Sequence, residues 1–361
     1  MNRKFSLLDP SLQKGNIGDD LIVGAIQKLL GINDVEMGIH ISTKLTDRAI
    51  DIVNSTDGLI ICGTNLYEKR FETGWGANIG LEEFSKIKVP IAIIGVGLSI
   101  WKESRRRFLG IVPVKPWNAL DETGIALIKC LHKKSFIASV RDEFSFDTLI
   151  NLGVDNVHLT GCPSLFMNEQ FYNINRPAPD DYVCFSYKNM FHSSLSQQAQ
   201  ARFAEFVAEF HARFSCQTKV LICCHSNDDL NAVPNRIPTS DVVLFSPLSD
   251  RLNYQPLLNL YSHAKLVVGV RLHATIPSTS FNVPSITLVH DSRSESFCTM
   301  MGLPWVTIID NDGYENETFE LVSEFLSGDR ELAIHSIVNK KKELYGAFDQ
   351  YVLKPFNAMY S

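Results

Sequence analysis

Short apolar runs recur along the chain, and stretches with helical spacing stand between them. "KFSLLD" (Lys4–Asp9) reads as a first strand and "DDLIVGAIQKLL" as the helix after it. "VEMGIHI", "DGLIIC", "VPIAIIGVG", "SFIASV" and "VDNVHL" follow as strands, with "TDRAIDIVNS" and "DEFSFDTLINLG" as helices among them. After the Pro-rich stretch "NINRPAPDD" the scheme repeats. "YVCFSY", "TKVLICC", "DVVLF", "AKLVVGV" and "PSITLV" are the strands, and helical segments alternate with them. Continuous apolar strands joined by helices predict parallel sheets covered on both faces. The expected architecture is α/β: two Rossmann-like, doubly wound domains facing across a cleft, at residues 1–172 and 182–328. Residues 173–181 would form the linker and 329–361 a helical tail that packs on the first domain or caps the second. Ligands of such folds bind outside the carboxyl ends of the strands.

Composition narrows the class. Of the 361 residues, 45% are hydrophobic and 20% charged, an ordinary globular balance. A net charge of -6 argues against a general nucleic-acid face. No apolar run approaches the ~18 residues of a membrane span, and the first residues carry no signal-peptide pattern. Cytoplasmic residence is therefore expected. The eight cysteines form no C-x-x-C pair and read as buried apolar groups.

Candidate chemistry concentrates where polar residues follow apolar strands. In "LVVGVRLHATIP", Arg271 and His273 leave a strand and open a helix, with Pro277 expected in its first turn. A helix N-terminus, a guanidinium and an imidazole suit a phosphate or carboxylate, although a structural Arg and a capping His fit the spacing equally. "GNIGDD" follows the first strand. Gly15 and Gly18 permit close backbone approach, Asn16 offers an amide, and Asp19 or Asp20 is placed to cap the helix. Arg141 ends the strand "FIASV", and reads either as a cleft group or as a surface partner of Asp142. Thr64 and Asn65, Ser164, His225 with Asn227, Asp228 and Asp229, and His290 with Asp291 and Arg293 repeat the strand-end placement. Arg105, Arg106 and Arg107 form a basic run that reads as a solvated loop, or as a contact for an anionic acceptor or lipid surface. No P-loop, H-E-x-x-H or G-x-S-x-G occurs. No ligand set argues for a metal.

From Gly15 to Pro304 the chain resembles the polysaccharide pyruvyl transferase family. The resemblance is carried by "GNIGDD", "SVRD" and above all "GVRLHATIPSTSFNVPSITLVHDSRSESFCTMMGLP". It departs from the family pattern at "CGTNL", where a Gly-rich turn is usual, and at Asp291-x-Arg293, where the basic residue is usually Lys. The resemblance implies a two-domain fold of the GT-B type and transfer of pyruvate from phosphoenolpyruvate to a sugar, as a cyclic ketal. It implies donor binding by Arg141, Arg271, Leu272, His273 and Arg293. Gly15, Asn16, Gly18, Asp19, Thr64, Asn65 and His225 would line the acceptor side.

On this reading His273 supplies a proton or stabilises the departing phosphate, Arg271 and Arg141 clamp the donor, and Asp291 or Asp19 serves as base. No cofactor is expected beyond the donor. The acceptor would be a sugar of a surface glycan or its lipid-linked precursor, handled at the inner face of the membrane. Two alternatives fit the same residues: a GT-B glycosyltransferase using a nucleotide sugar, and a non-catalytic glycan-binding protein.

Overall fold

Continuous apolar runs become strands buried on both faces. The computed structural model describes residues 3–12, 16–40, 43, 45–67, 80–98, 120–168, 178–190, 196–245, 252–309 and 311–361. Six parallel strands form the first sheet: β1 (Phe5–Asp9), β2 (Val35–His40), β3 (Gly58–Cys62), β4 (Ile91–Val96), β5 (Ser135–Val140) and β6 (His158–Leu159). Their order is β2-β1-β3-β4-β5-β6. The second sheet holds β7 (Tyr182–Tyr187), β8 (Lys219–Cys224), β9 (Val242–Leu244), β10 (Leu266–Gly269), β11 (Ser285–Val289) and β12 (Trp305–Thr307), ordered β12-β11-β10-β7-β8-β9 and again parallel. The strand order reverses between β1 and β3 in one sheet and between β7 and β10 in the other. Crevices open at such points beyond the strand carboxyl ends.

The helices follow in chain order. In the first domain they are α1 (Ile17–Leu30), α2 (Asp47–Asn54), α3 (Leu81–Lys86), α4 (Glu122–Lys134) and α5 (Glu143–Asn151). In the second they are α6 (Gln197–Phe214), α7 (Asn227–Asn231), α8 (Gln255–His263), α9 (Leu272–Ser280), α10 (Ser292–Met301) and α11 (Tyr314–Ser327). The tail forms α12 (Ile334–Phe348), one π-helical turn and α13 (Lys354–Tyr360).

The fold expected from the sequence is present, with local differences. β12 and α11 were not anticipated, because β12 is three residues long and α11 lies beyond the last recognised strand. Pro277 is not in the first turn of α9, which begins at Leu272. It sits inside the helix, where it lacks the N–H that would reach the His273 carbonyl. Asn16 caps α1 rather than either aspartate. Its side chain accepts from Gly18 N at 3.1 Å, while Asp19 and Asp20 occupy the first turn.

The domains share their apolar interior. Ile17, Leu21 and Ala25 of α1 pack with Leu257, Tyr261 and Ala274 of the second domain. Ile22 and Ile26 belong to a core that continues through Ile276, Phe297 and Met301 to Phe348, Val352 and Phe356 of the tail. The tail both packs on the first domain and holds the second. Phe356 lies 5.5 Å from Phe5 between ring centroids, and Tyr351 stacks on His158 at 3.8 Å. Lys341 Nζ donates to Thr279 O, Ser280 O and Asn282 Oδ1 at 3.1, 3.2 and 2.7 Å, at the C-terminal end of α9.

Candidate functional site

The wall given by the second domain is built from the carboxyl ends of four neighbouring strands. Arg271 is the first residue outside α9, in extended backbone, and His273 lies in the first turn. Arg271 Nη2 donates to both oxygens of Asp229, at 2.6 and 2.5 Å. Asp229 is 1% exposed because Ser226 caps α7 and turns this position inward, while neighbouring Asp228 faces solvent. Its carboxylate also accepts from Asn189 N at 2.9 Å and His225 N at 3.2 Å. Beyond β11, Asp291 caps α10 by accepting from Arg293 N and Ser294 N, and it pairs with the Arg293 guanidinium. Lys188, which follows β7, donates to His290 Nε2 at 2.8 Å.

The first domain supplies the facing groups. Arg141 leaves β5 and is 3% exposed, so the surface-pair reading fails. It donates to Asn65 Oδ1, and its Nε stands 3.8 Å from Asp142. Asp142 itself caps α5 through Ser145 N. Gly97 lets the guanidinium lie against the backbone, since a Cβ there would fall 2.7 Å from Arg141 Nε. Asn16 Nδ2 donates to Asp19 Oδ2 at 2.9 Å.

The two walls touch. A Cβ on Gly18 would fall 2.4 Å from His273 Nδ1, and Ile17 N donates to His225 O at 3.3 Å. Glycine at position 18 is thus the condition for α1 to close on the His273 ring.

Electrostatics follow from this convergence. Burial, with Arg141, His225, Arg293 and Arg271 nearby, pushes His273 well below the usual histidine range, so its ring is neutral. Burial pushes Asp19 up to about 7, against the pull of Arg271 and Arg141 from opposite walls. Asp291 shows the reverse: burial would raise it, but Arg293, His290 and the Ser294 backbone amide hold it far below the carboxylate range. A carboxylate so held is a poor proton acceptor. Its place in the network is to cap α10 and fix Arg293, whereas Asp19 holds a proton more readily. Buried nitrogens of Arg141 (Nε), Arg271 (Nε), Arg293 (Nε), His225 (Nδ1) and His273 (Nε2) have no hydrogen-bond partner among the described residues. Unmet buried guanidinium N–H groups, gathered from both domains, fit an anion.

Of the residues singled out in the sequence, Arg141, Arg271, His273, Arg293, Asp291, Asn16, Gly18, Asp19 and Asn65 come together. Leu272 is half-buried in the α9 first turn and packs on the shared core. Thr64 is buried just after β3, and its carbonyl accepts from Gly97 N at 2.8 Å. His225 is fully buried, with Nε2 2.7 Å from Tyr261 OH, so it backs the pocket instead of standing on an open wall. Gly15 and the Arg105–Arg107 run lie outside the described residues. Lys188 and Tyr261 escaped the sequence reading, because a lysine after a strand and a tyrosine on a helix carry no signal until the sheet order is known. Among the described residues, no group of three His, Cys, Asp or Glu side chains is placed to hold a metal ion, and no helix is long and apolar enough to cross a membrane.

Two Rossmann-like domains facing one another across their strand carboxyl ends define a GT-B-type architecture, and known structures agree on the fold. S. aureus MnaA with UDP is similar at TM-score 0.56 and 10% identity, over 97% of each chain. The UDP-GlcNAc 2-epimerase of Methanocaldococcus jannaschii, with UDP-GlcNAc and UDP, is similar at 0.54 and 13%, over 90% of this chain and 92% of that one. A putative UDP-N-acetylglucosamine 2-epimerase from Listeria monocytogenes gives 0.53 and 10%, over 99% and 94%. At these identities the likeness shows fold alone. No curated protein sequence matches the chain. The polysaccharide pyruvyl transferase family model matches residues 16–292, and the chain belongs to that family.

Proposed function

We propose that the protein transfers pyruvate from phosphoenolpyruvate to a sugar of a surface glycan or its lipid-linked precursor, forming a cyclic ketal. One observation carries the reading: three guanidiniums and His273, drawn from both domains, lie within electrostatic reach of one another and leave buried nitrogens unmet. Phosphoenolpyruvate brings a carboxylate and a phosphate, which such a set would bind and orient.

The reaction balances without a cofactor. A proton is added to the vinyl methylene carbon as a sugar hydroxyl attacks the adjacent carbon. The bond from that carbon to the phosphate oxygen then breaks, and a second hydroxyl closes the ring. Two hydroxyl protons are released, one is consumed in making the methyl group, and inorganic phosphate leaves. His273 is assigned as the proton donor. Its ring is neutral among cations, and a bound trianion reverses that field and favours the imidazolium. Asp19, pushed up to about 7, is assigned as the base toward a hydroxyl.

Phosphate release from phosphoenolpyruvate with a panel of glycan acceptors tests the reading. His273→Ala should reduce turnover at least a hundredfold, in line with the ~10²–10⁴ typical of a general acid. Undiminished pyruvyl transfer would remove His273 from the mechanism. Binding of UDP- or GDP-sugars with none of phosphoenolpyruvate would replace the reading with nucleotide-sugar transfer.

A further inference from the structure

The point where the second sheet reverses its order carries two cations, one on each side. β7 and β10 pair through Ser186 and Gly269, and Val270 N donates to Ser186 O at 3.1 Å. Two residues beyond that pair, the strands carry Lys188 and Arg271. Their side chains pass one another. Arg271 reaches across the end of β7 to Asp229, which follows β8. Lys188 reaches across the end of β10 to His290, which follows β11. The crossing brings the Lys188 ammonium within electrostatic reach of Arg271 and Asp229 on one side and of Arg293 and Asp291 on the other.

We propose that Lys188 is a ligand of the bound anion, contacting the phosphoryl group that departs in the reaction, with His290 as its positioning residue. The proposal rests on the phosphoenolpyruvate reading for the identity of that anion. A planar guanidinium fork matches a carboxylate, whereas a compact ammonium suits one oxygen of a tetrahedral phosphoryl group. The His290 ring is a fitting support. Burial and the neighbouring ammonium push it down to about 3, so its Nε2 accepts from Lys188 without adding charge.

A lysine placed among arginines is electrostatically unfavourable until an anion arrives. The charged and titratable groups facing it are Arg271 from the β10 end, His290, Asp291 and Arg293 from the β11 end, and Asp229 from the β8 end. Burial and Arg271 push Lys188 down to about 7. Binding an anion would draw a proton onto it.

Calorimetric titration of the full chain with phosphoenolpyruvate and with inorganic phosphate, between pH 7 and 9, tests this. Lys188→Met should weaken both ligands at least tenfold. Lys188→Arg, which stays charged, should flatten the loss of affinity that wild type shows as pH rises. The ligand's own ionisation is common to all three proteins, and a merely structural lysine would not change the slope. Lys188→Gln keeps a donor toward His290 and replaces the methionine variant if that one does not fold.

Equal affinities in wild type and variant, or parallel pH slopes in wild type and Lys188→Arg, overturn the proposal. Tenfold weaker phosphate binding in the variant, with no phosphoenolpyruvate binding by wild type, leaves Lys188 as an anion ligand and overturns the donor reading. Failure of wild type to bind either anion overturns both.

Discussion

Asp19 shows how one side chain can link stability to activity. Its pKa of about 7 in the folded protein lies above the 3.8 of an exposed aspartate. The folded state therefore holds this proton more tightly. The stability it contributes is complete below about pH 3.8 and is lost as pH rises through 7. Asp19→Asn, neutral throughout, should then be more stable than wild type at pH 8, measured by urea unfolding. The same variant should lose the rise of kcat/KM with pH around 7 and most of its turnover. A pH profile unchanged by the substitution would take the base role away from Asp19. Gly18 acts through space alone. Gly18→Ala puts a methyl group 2.4 Å from His273 Nδ1, so the ring must shift or α1 must back away. Turnover should fall at least tenfold, because small misplacements of a catalytic group are expensive. The thermal midpoint should drop by only a few degrees, since Gly→Ala inside a helix gains roughly 1 kcal/mol of propensity. Wild-type turnover in Gly18→Ala would show that the contact does not hold the ring in its working position.

Helix α10 illustrates what an element contributes and how much of it is legible in the sequence. Asp291 caps its first turn and holds Arg293. Asp291→Ala should cost about 1–2 kcal/mol for the cap alone, and more for leaving Arg293 without its carboxylate. Asp291→Asn keeps the cap acceptor and should recover the cap's share of the stability in urea unfolding while activity stays low. Equal destabilisation by both would mean that the ion pair, not the cap, carries the effect. The strand ends themselves were readable, since Arg141, Arg271 and His273 each follow a continuous apolar run. What those residues do was less so. Whether Asp291 serves as base or cap depends on α10 starting at Ser292, and boundaries are the weakest part of a sequence reading. Pro277 reads as a helix opener because proline favours the first turn, yet α9 begins five residues earlier, at Leu272. Lys188 becomes visible as a site residue only when β7 and β10 are known to be neighbours, and the ends of those strands, Tyr187 and Gly269, are 82 residues apart in the sequence. Such pairing across a reversed strand order leaves no local trace.

At the scale of the whole molecule, the cleft works only if both walls keep their spacing, and the tail helices set that spacing. They bury Phe348, Val352 and Phe356 in a core that contains β1 residues Phe5 and Leu7 together with Ile276 of α9 and Phe297 of α10. Lys341 at the same time holds the carbonyl end of α9, the helix whose opposite end presents His273. The tail thus links the first sheet to the helix that opens with Arg271 and His273. A shared core of this kind predicts that the domains unfold together, unlike domains joined by a small polar interface. Phe348→Ala should cost about 3–5 kcal/mol, the usual range for a buried phenylalanine. The loss should appear equally in both domains when amide hydrogen exchange is followed for β1 and for β10. Protection lost in β10 with β1 unchanged, or the reverse, would mean that each sheet is stable by itself and that the tail is an ornament of one domain. If the losses coincide, distant substitutions in the tail should also weaken anion binding, because α9 would no longer be held at its far end.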